Sequence, residues 1–146
     1  HPYEEVAYYL SPLDNADQDV GAGMVGTLPE PLAERDFLQL LKARLNPAGV
    51  RHTALLGRPV RTVAVCGGAG KFLLAEAIRQ GADAFVSADF KYHEFFEAEG
   101  RVLVADVGHY ESEVLTKNLL TAYLSEKFPN LAVLLSDTPT NPVNYF

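Results

Sequence analysis

Cysteine is almost absent from this chain, since Cys66 is the only one among 146 residues. A single cysteine cannot form an internal disulfide, so the sequence shows no adaptation to an oxidising compartment. No apolar run approaches the roughly 20 residues needed to cross a bilayer, and no basic start precedes an apolar core of the signal-peptide kind. We therefore expect a cytoplasmic protein. The chain begins at His1 within a strand-like stretch, so we also expect it to be part of something longer.

Basic residues are also scarce. The chain has 12 lysines and arginines against 19 aspartates and glutamates, and its formal net charge is −7. This charge repels nucleic acid and anionic membrane surfaces, and no basic patch opposes it. Metal ions and neutral or cationic small molecules are the ligands that suit it better. Hydrophobic residues make up 48% of the chain, which is enough for the core of one ordinary domain with or without a small appendage.

After Pro59 the chain alternates regularly between strand and helix patterns. The predicted strands are apolar throughout, and they cover residues 60–65, 84–87, 102–105 and 131–135. The predicted helices cover residues 71–79, 92–98 and 110–128, the last ended by Pro129. Strands that are apolar at every position belong to sheets that are covered on both faces. The fold class that we predict is therefore α/β, with a three-layer, mostly parallel sheet flanked by helices.

Before Pro59 the pattern is less regular. Strand-like stretches occur at residues 5–10, 21–28 and 50–56, the second ended by Pro29 and Pro31, and residues 32–45 have helical spacing. We place a boundary at residues 57–58. The segment before it is predicted to be a smaller α/β appendage with an incomplete sheet.

Two polar segments, residues 87–93 and 106–113, directly follow predicted strands. Open α/β sheets form their binding crevice at the carboxyl ends of parallel strands. We therefore expect Asp89, His93, His109 and Glu113 to converge in one crevice, with the glycine-rich residues 67–70 nearby.

His109 and Glu113 are four residues apart at the start of a predicted helix, so both project from one face. Imidazole and carboxylate together suit a divalent metal ion, and zinc, manganese, iron and nickel fit equally well. Gly108 lets the backbone turn sharply into the helix. The alternative is that Glu113 pairs with Lys117 and interacts with the helix dipole.

Asp89, Lys91 and His93 form the second cluster. A carboxylate, an ammonium and an imidazole within five residues could orient a water molecule and move protons, so Asp89 and His93 are the candidate catalytic residues. The alternative is that Asp89 caps a helix whose next residues are solvated.

The glycines of residues 67–70 follow a strand and precede a helix, so their N–H groups could bind an anion, although a tight turn explains them equally well. Cys66 beside them would need a base, such as His93, to act as a nucleophile. The alternative is a small buried side chain.

Five motifs occur in one order along the chain: residues 1–5 (HPYEE), 65–70 (VCGGAG), 81–83 (GAD), 89–93 (DFKYH) and 108–113 (GHYESE). Together they resemble the GTP cyclohydrolase I type 2 homolog family, also called the Nif-three-like family. The resemblance covers essentially the whole chain.

The resemblance implies a site for two divalent metal ions between two α/β halves, with His109 and Glu113 as metal ligands of the carboxy-terminal half. The family's other ligands, a histidine pair and an aspartate of the amino-terminal half, match nothing here. Residues 1–57 would then be the end of an inserted ferredoxin-like α+β domain and the return segment, and residues 58–146 the carboxy-terminal half of the core. The resemblance also implies toroidal homohexamers.

Two functions follow from the resemblance. In the first, the whole protein is a metal-dependent hydrolase that acts on a nucleotide or a related small molecule, with Asp89 or His93 relaying protons. In the second, it is a non-catalytic, metal-dependent scaffold or a regulatory interaction protein. In either case the present chain alone is expected to be inactive. Without its partner half, the chain is also expected to concentrate the negative charges of Asp89, Asp106 and Glu113 at an incomplete site.

Overall fold

The computed structural model describes residues 21–146, so the predicted strand at residues 5–10 lies outside the described residues. Within this part of the chain the strands are β1 (Met24–Leu32), β2 (Arg51–His52), β3 (Val60–Ala69), β4 (Ala84–Ala88) and β5 (Leu103–Asp106). The α-helices are α1 (Glu34–Leu45), α2 (Leu74–Arg79), α3 (His109–Glu113) and α4 (Thr116–Lys127). Two 3-10 helices cover Lys71–Leu73 and Tyr92–Ala98.

The strands form one sheet in the order β1-β3-β4-β5-β2. The central strands β3, β4 and β5 are parallel, with Phe85 of β4 opposite Ala64 and Val104. The edge strands β1 and β2 are antiparallel to β3 and β5. The predicted α/β class and the parallel centre are therefore confirmed, while the described sheet as a whole is mixed rather than mostly parallel.

Helices cover both faces of the sheet because successive side chains of a strand point to opposite sides. On one face, Phe85 and Val104 pack with Leu74 and Ala77 of α2. On the other face, residues of β4 and β5 pack with Phe37 of α1. Leu103 and Val104 are fully buried although they are neighbours in β5. These packing contacts form the three layers that continuous apolar strands predict.

The sheet crosses the predicted boundary at residues 57–58, because β1 and β2 lie before it and pair with β3 and β5. Residues 21–57 therefore contribute two edge strands to the common sheet rather than a sheet of their own. The division of the whole protein into residues 1–57 and 58–146, and the ferredoxin-like character of the first part, stay predictions.

The first edge strand is longer than predicted. Pro29 and Pro31 do not end β1, which continues to Leu32. The pairing with β3 shifts between Thr27 and Leu32, so the prolines occupy an irregular stretch of the ladder. An edge strand tolerates proline because its N–H groups do not all have to pair.

The carboxy-terminal part departs most from prediction. The helix expected over residues 110–128 is divided at Val114 and Leu115 into α3 and α4, although α4 ends just before Pro129 as predicted. Residues 131–135 form no strand, and they lie mostly exposed outside the sheet. Across residues 21–146, each helix is too short or too polar to span a lipid bilayer.

Candidate metal centre

Three predicted site residues meet beyond the carboxyl ends of β4 and β5. The Nδ1 atom of His109 lies 2.6 Å from Oδ2 of Asp89, and its Nε2 atom lies 3.2 Å from Oε2 of Glu113. About half of each of these three side chains is exposed. The cluster therefore holds one imidazole between two carboxylates, at the edge of the sheet where parallel strands place binding sites.

The local backbone explains how the sequence builds this arrangement. Asp89, just after β4, has a φ of 59°, and Gly108, just after β5, has a φ of 91°. These positive φ angles turn the chain sharply at the end of each strand. Helix α3 then begins at His109, so His109 and Glu113 lie one turn apart on the same face, as their spacing predicts.

The backbone of Gly68 approaches the side chains of Glu113 and His109 closely. A Cβ atom at this position would lie 2.5 Å from Oε1 of Glu113 and 3.0 Å from Cε1 of His109, and Gly68 has a φ of 61°. The Gly68 N–H group donates to the hydroxyl of Ser112 at 2.9 Å. This N–H group is therefore not available to bind an anion, and the predicted glycine turn is instead the irregular end of β3.

We predict that Gly68→Ala destabilises the fold by about 2 kcal/mol, because the new methyl group displaces Glu113 and the backbone must keep a left-handed conformation. Gly57→Ala is the matched control, since Gly57 has a φ of 71° but a Cβ atom added there would meet no other atom within 4 Å. It should cost only about 1 kcal/mol, the strain of the backbone alone. Urea unfolding of both variants measures the difference. Equal losses would contradict a close approach of Gly68 to the cluster.

The neighbouring carboxylates raise the pKa of His109. The largest cause is the hydrogen bond to Asp89, and the negative charges of Asp89 and Glu113 act in the same direction. A raised imidazole pKa means that protonation stabilises the folded state. This contribution is complete below the pKa of an unfolded histidine and is lost as the pH rises through the pKa of His109. The same proton competes with a metal ion for Nε2.

The alternative explanations for Glu113 and Asp89 do not match the contacts within the described residues. The Lys117 ammonium donates to the carbonyl of Ser136 at 3.1 Å, while Glu113 lies beside His109. The 3-10 helix Tyr92–Ala98 is capped through Glu94, whose carboxylate accepts the Lys91 N–H at 2.8 Å. Asp89 therefore does not cap this helix, and its described partner is His109.

Among the described residues, no hydrogen bond or ion pair joins His93 to the cluster. His93 is exposed in the 3-10 helix after β4, and no hydrogen bond or ion pair within residues 21–146 involves its side chain.

Cys66 is buried, and burial is the largest of the effects that raise the pKa of its thiol. A buried thiol with a raised pKa is a poor nucleophile, so Cys66 matches the interpretation as a small buried side chain.

A cavity of about 850 Å³ opens beside the cluster. Asp89, His109 and Glu113 line it together with Arg51, Asp106 and residues between positions 136 and 145. No local sequence pattern marks Arg51 or Ser112, because their contacts depend on the tertiary fold. The only sequence features that point to Asp106 as a site residue are its charge and its place at the end of a predicted strand.

The donor set of this part of the chain is incomplete. Within residues 21–146, no three His, Cys, Asp or Glu side chains are arranged to hold a metal ion together. The structure instead places two donors side by side, Nε2 of His109 and Oε2 of Glu113. Two ligands each about 2.1 Å from a tetrahedral zinc ion lie roughly 3.4 Å apart, which is close to the observed 3.2 Å. The pair therefore fits one half of a metal site.

Comparison with known proteins gives consistent matches. A family model described as Duf34/NIF3 (NGG1p interacting factor 3) matches residues 4–142. The GTP cyclohydrolase 1 type 2 homolog of Bacillus subtilis is 34% identical over 149 residues, which cover 99% of this chain and 40% of the relative. The protein of the same name from Mycobacterium tuberculosis is 39% identical over 117 residues, or 77% of this chain and 31% of the relative.

Solved structures give the same result. A Bacillus cereus protein related to NIF3 has a TM-score of 0.80 and 34% identity, and the match covers all of this chain and 41% of that one. A Staphylococcus aureus hypothetical protein has a TM-score of 0.78 and 29% identity, with 85% of this chain and 43% of that one covered. The chain thus spans about 40% of the length of the Bacillus subtilis relative.

Proposed function

This chain belongs to the Duf34/NIF3 family, and from that premise we propose that His109 and Glu113 supply two ligands of a divalent-metal site in the whole protein. The remaining ligands come from the part of the protein outside this chain. The reaction that this site supports best is metal-dependent hydrolysis of a nucleotide or a related small molecule.

The observation that carries the proposal is the contact between Nε2 of His109 and Oε2 of Glu113. Asp89 accepts a hydrogen bond from Nδ1, so the lone pair of the neutral imidazole lies on Nε2, beside a carboxylate oxygen. Two electron-pair donors 3.2 Å apart repel each other unless a proton or a cation lies between them. An outer carboxylate that orients a ligating histidine is a common feature of metal sites.

Each residue of the cluster then has a distinct task. His109 and Glu113 bind the metal, and Asp89 fixes the tautomer and the orientation of the imidazole. A bound divalent ion would lower the pKa of a coordinated water and so supply a nucleophile at neutral pH. The catalytic roles of Asp89 and His93 stay predictions, and the contact with His109 favours an orienting role for Asp89.

The adjoining cavity supports a small-molecule ligand. Its volume of about 850 Å³ lies within the range of pockets that bind such ligands. The names of the relatives, GTP cyclohydrolase 1 type 2 homologs, are consistent with a nucleotide. We therefore propose a nucleotide or a similar compound as the substrate of the whole protein.

Metal analysis of the whole protein tests the proposal. His109→Ala and Glu113→Ala should each weaken metal binding more than about a hundredfold, because each removes a direct donor and loss of an outer partner alone already costs roughly 10- to 100-fold. Inductively coupled plasma mass spectrometry of the purified variants measures the metal content. The exposed residues His52 and Glu126 provide matched alanine controls, which should keep the wild-type content.

Unchanged metal content in both cluster variants would contradict the metal role and favour a purely structural pairing of His109 with Glu113. Hydrolysis of GTP by the metal-loaded whole protein, lost in both variants, would support the enzymatic function. Metal binding without turnover of any nucleotide tested would favour the scaffold or regulatory function instead.

A further inference from the structure

We infer that Asp106 is a positioning residue that holds Asp89 and His109 in register across the ends of two strands. Its two carboxylate oxygens bind the backbone beside each of them. The consequence for metal affinity rests on the proposed function, whereas the consequence for the contact between Asp89 and His109 does not.

The contacts of Asp106 join the two site segments. Its Oδ2 atom accepts the N–H of Phe90 at 3.0 Å, and Phe90 directly follows Asp89. Its Oδ1 atom accepts the N–H of Gly108 at 3.1 Å, and Gly108 directly precedes His109. One side chain therefore fixes the residue next to each partner of the 2.6 Å hydrogen bond.

The backbone on both sides requires such support. The paired residues of β4 and β5 end at Ser87 and Asp106, so the ladder stops before Asp89 and His109. A non-glycine residue in a left-handed conformation, such as Asp89 with a φ of 59°, persists only where surrounding contacts hold it. Beyond the ladder, the Asp106 carboxylate supplies a hydrogen bond to each segment.

The charge of Asp106 is compensated within the protein. Its side chain is only 4% exposed, and Arg51 donates through Nη2 to Oδ2. The same Nη2 atom donates to the Phe90 carbonyl at 2.9 Å, and the guanidinium lies over the ring of Phe95. The prediction that Asp106 adds unbalanced negative charge to an incomplete site is therefore wrong, because Arg51 and two backbone N–H groups already bind this carboxylate.

These bonds also distinguish Asp106 from a metal ligand. Both of its oxygens accept backbone hydrogen bonds, and one of them also binds Arg51. Oδ2 therefore has both of its lone pairs occupied, by Phe90 and Arg51, and Oδ1 already binds the Gly108 N–H. Asp106 therefore acts through the backbone on Asp89 and His109 rather than on the metal or the substrate.

Asp106→Asn in the whole protein tests the inference. The amide has one oxygen and one donor group, so it can accept only one of the two backbone N–H groups in the observed geometry. We expect zinc affinity to fall about tenfold, as for the loss of an outer partner of a ligand. Zinc titration against a competing chelator measures it, at a temperature where circular dichroism shows the variant folded.

A second readout does not depend on the metal. In the metal-free protein, the hydrogen-bonded Nδ1 proton of His109 should give a downfield NMR signal that Asp89→Ala abolishes. Asp106→Asn should abolish or broaden this signal, while the matched variant Arg51→Gln, which keeps both backbone bonds, should retain it. If wild-type protein binds no zinc, the proposed function fails, and this signal still decides the role of Asp106.

The double variant Arg51→Gln/Asp106→Asn distinguishes a positioning role of Asp106 from an effect of the uncompensated Arg51 charge. If Asp106→Asn weakened zinc binding only by leaving the Arg51 charge uncompensated, the double variant would regain wild-type affinity, which would overturn the inference. Retention of the NMR signal together with wild-type affinity in Asp106→Asn would also overturn it. A loss that persists in the double variant supports the positioning role.

Discussion

The 146-residue chain, purified alone, should bind Zn²⁺ more than about a hundredfold more weakly than the whole protein, because removing ligands costs more than removing their outer partners. His109 and Glu113 provide two donors, and a tetrahedral site needs four. The described residues contain no third metal-binding side chain in position to complete the set. The chain should also hydrolyse no nucleotide.

Isothermal titration calorimetry of the chain and of the whole protein with Zn²⁺, at one pH and one salt concentration, measures this difference. The whole protein carrying His109→Ala is the reference for a site that has lost one ligand, and its affinity should lie between the two. Tight binding of two ions by the isolated chain would contradict the prediction. It would mean that the missing ligands lie within this chain, including the residues before position 21.

Phe85→Ala should destabilise the fold by about 4 kcal/mol, because it removes a large side chain from the centre of the sheet and leaves a cavity. Phe85 is 1% exposed and lies in the central strand β4, and its ring packs edge-to-face on Phe90 with 6.1 Å between centroids. Phe90 directly follows Asp89, so the same substitution also removes packing beneath the candidate metal centre.

Thermal and urea unfolding measure this loss, and Phe72→Ala is the matched control. Phe72 is 66% exposed, so its truncation should change the stability by less than about 0.5 kcal/mol. Similar losses for the two variants would show that β4 is not the centre of the core. A loss of only about 1 kcal/mol for Phe85→Ala would mean that the surrounding layers collapse into the cavity.

The sequence predicts best those strands whose side chains are buried on both faces. Residues 84–87 and 102–105 are apolar at nearly every position, and β4 and β5 are buried throughout. Residues 131–135 are similarly apolar but form no strand, because an apolar run forms a strand only where it pairs with a neighbouring strand, and this one lies outside the sheet. The path of β1 past Pro29 could not be predicted either, since tolerance of proline depends on its edge position.

The site could be predicted where it depends on local spacing. His109 and Glu113 lie one helical turn apart in the sequence. Asp89 follows β4, which pairs with β5, the strand that precedes His109. The approach of Gly68 could not be predicted, because it depends on how β3 packs against α3. The partners of Asp106 are distant in sequence, and no local pattern indicates that its carboxylate binds Arg51 and two backbone segments.

The two edges of the sheet have a consequence for self-association. An exposed edge strand with free N–H and C=O groups can recruit a strand from another molecule and begin aggregation. Here Pro29 and Pro31 remove two donors from β1, and β2 at the opposite edge is only two residues long. Neither edge offers a long, regular template, so the described sheet resists edge-to-edge growth at high protein concentration.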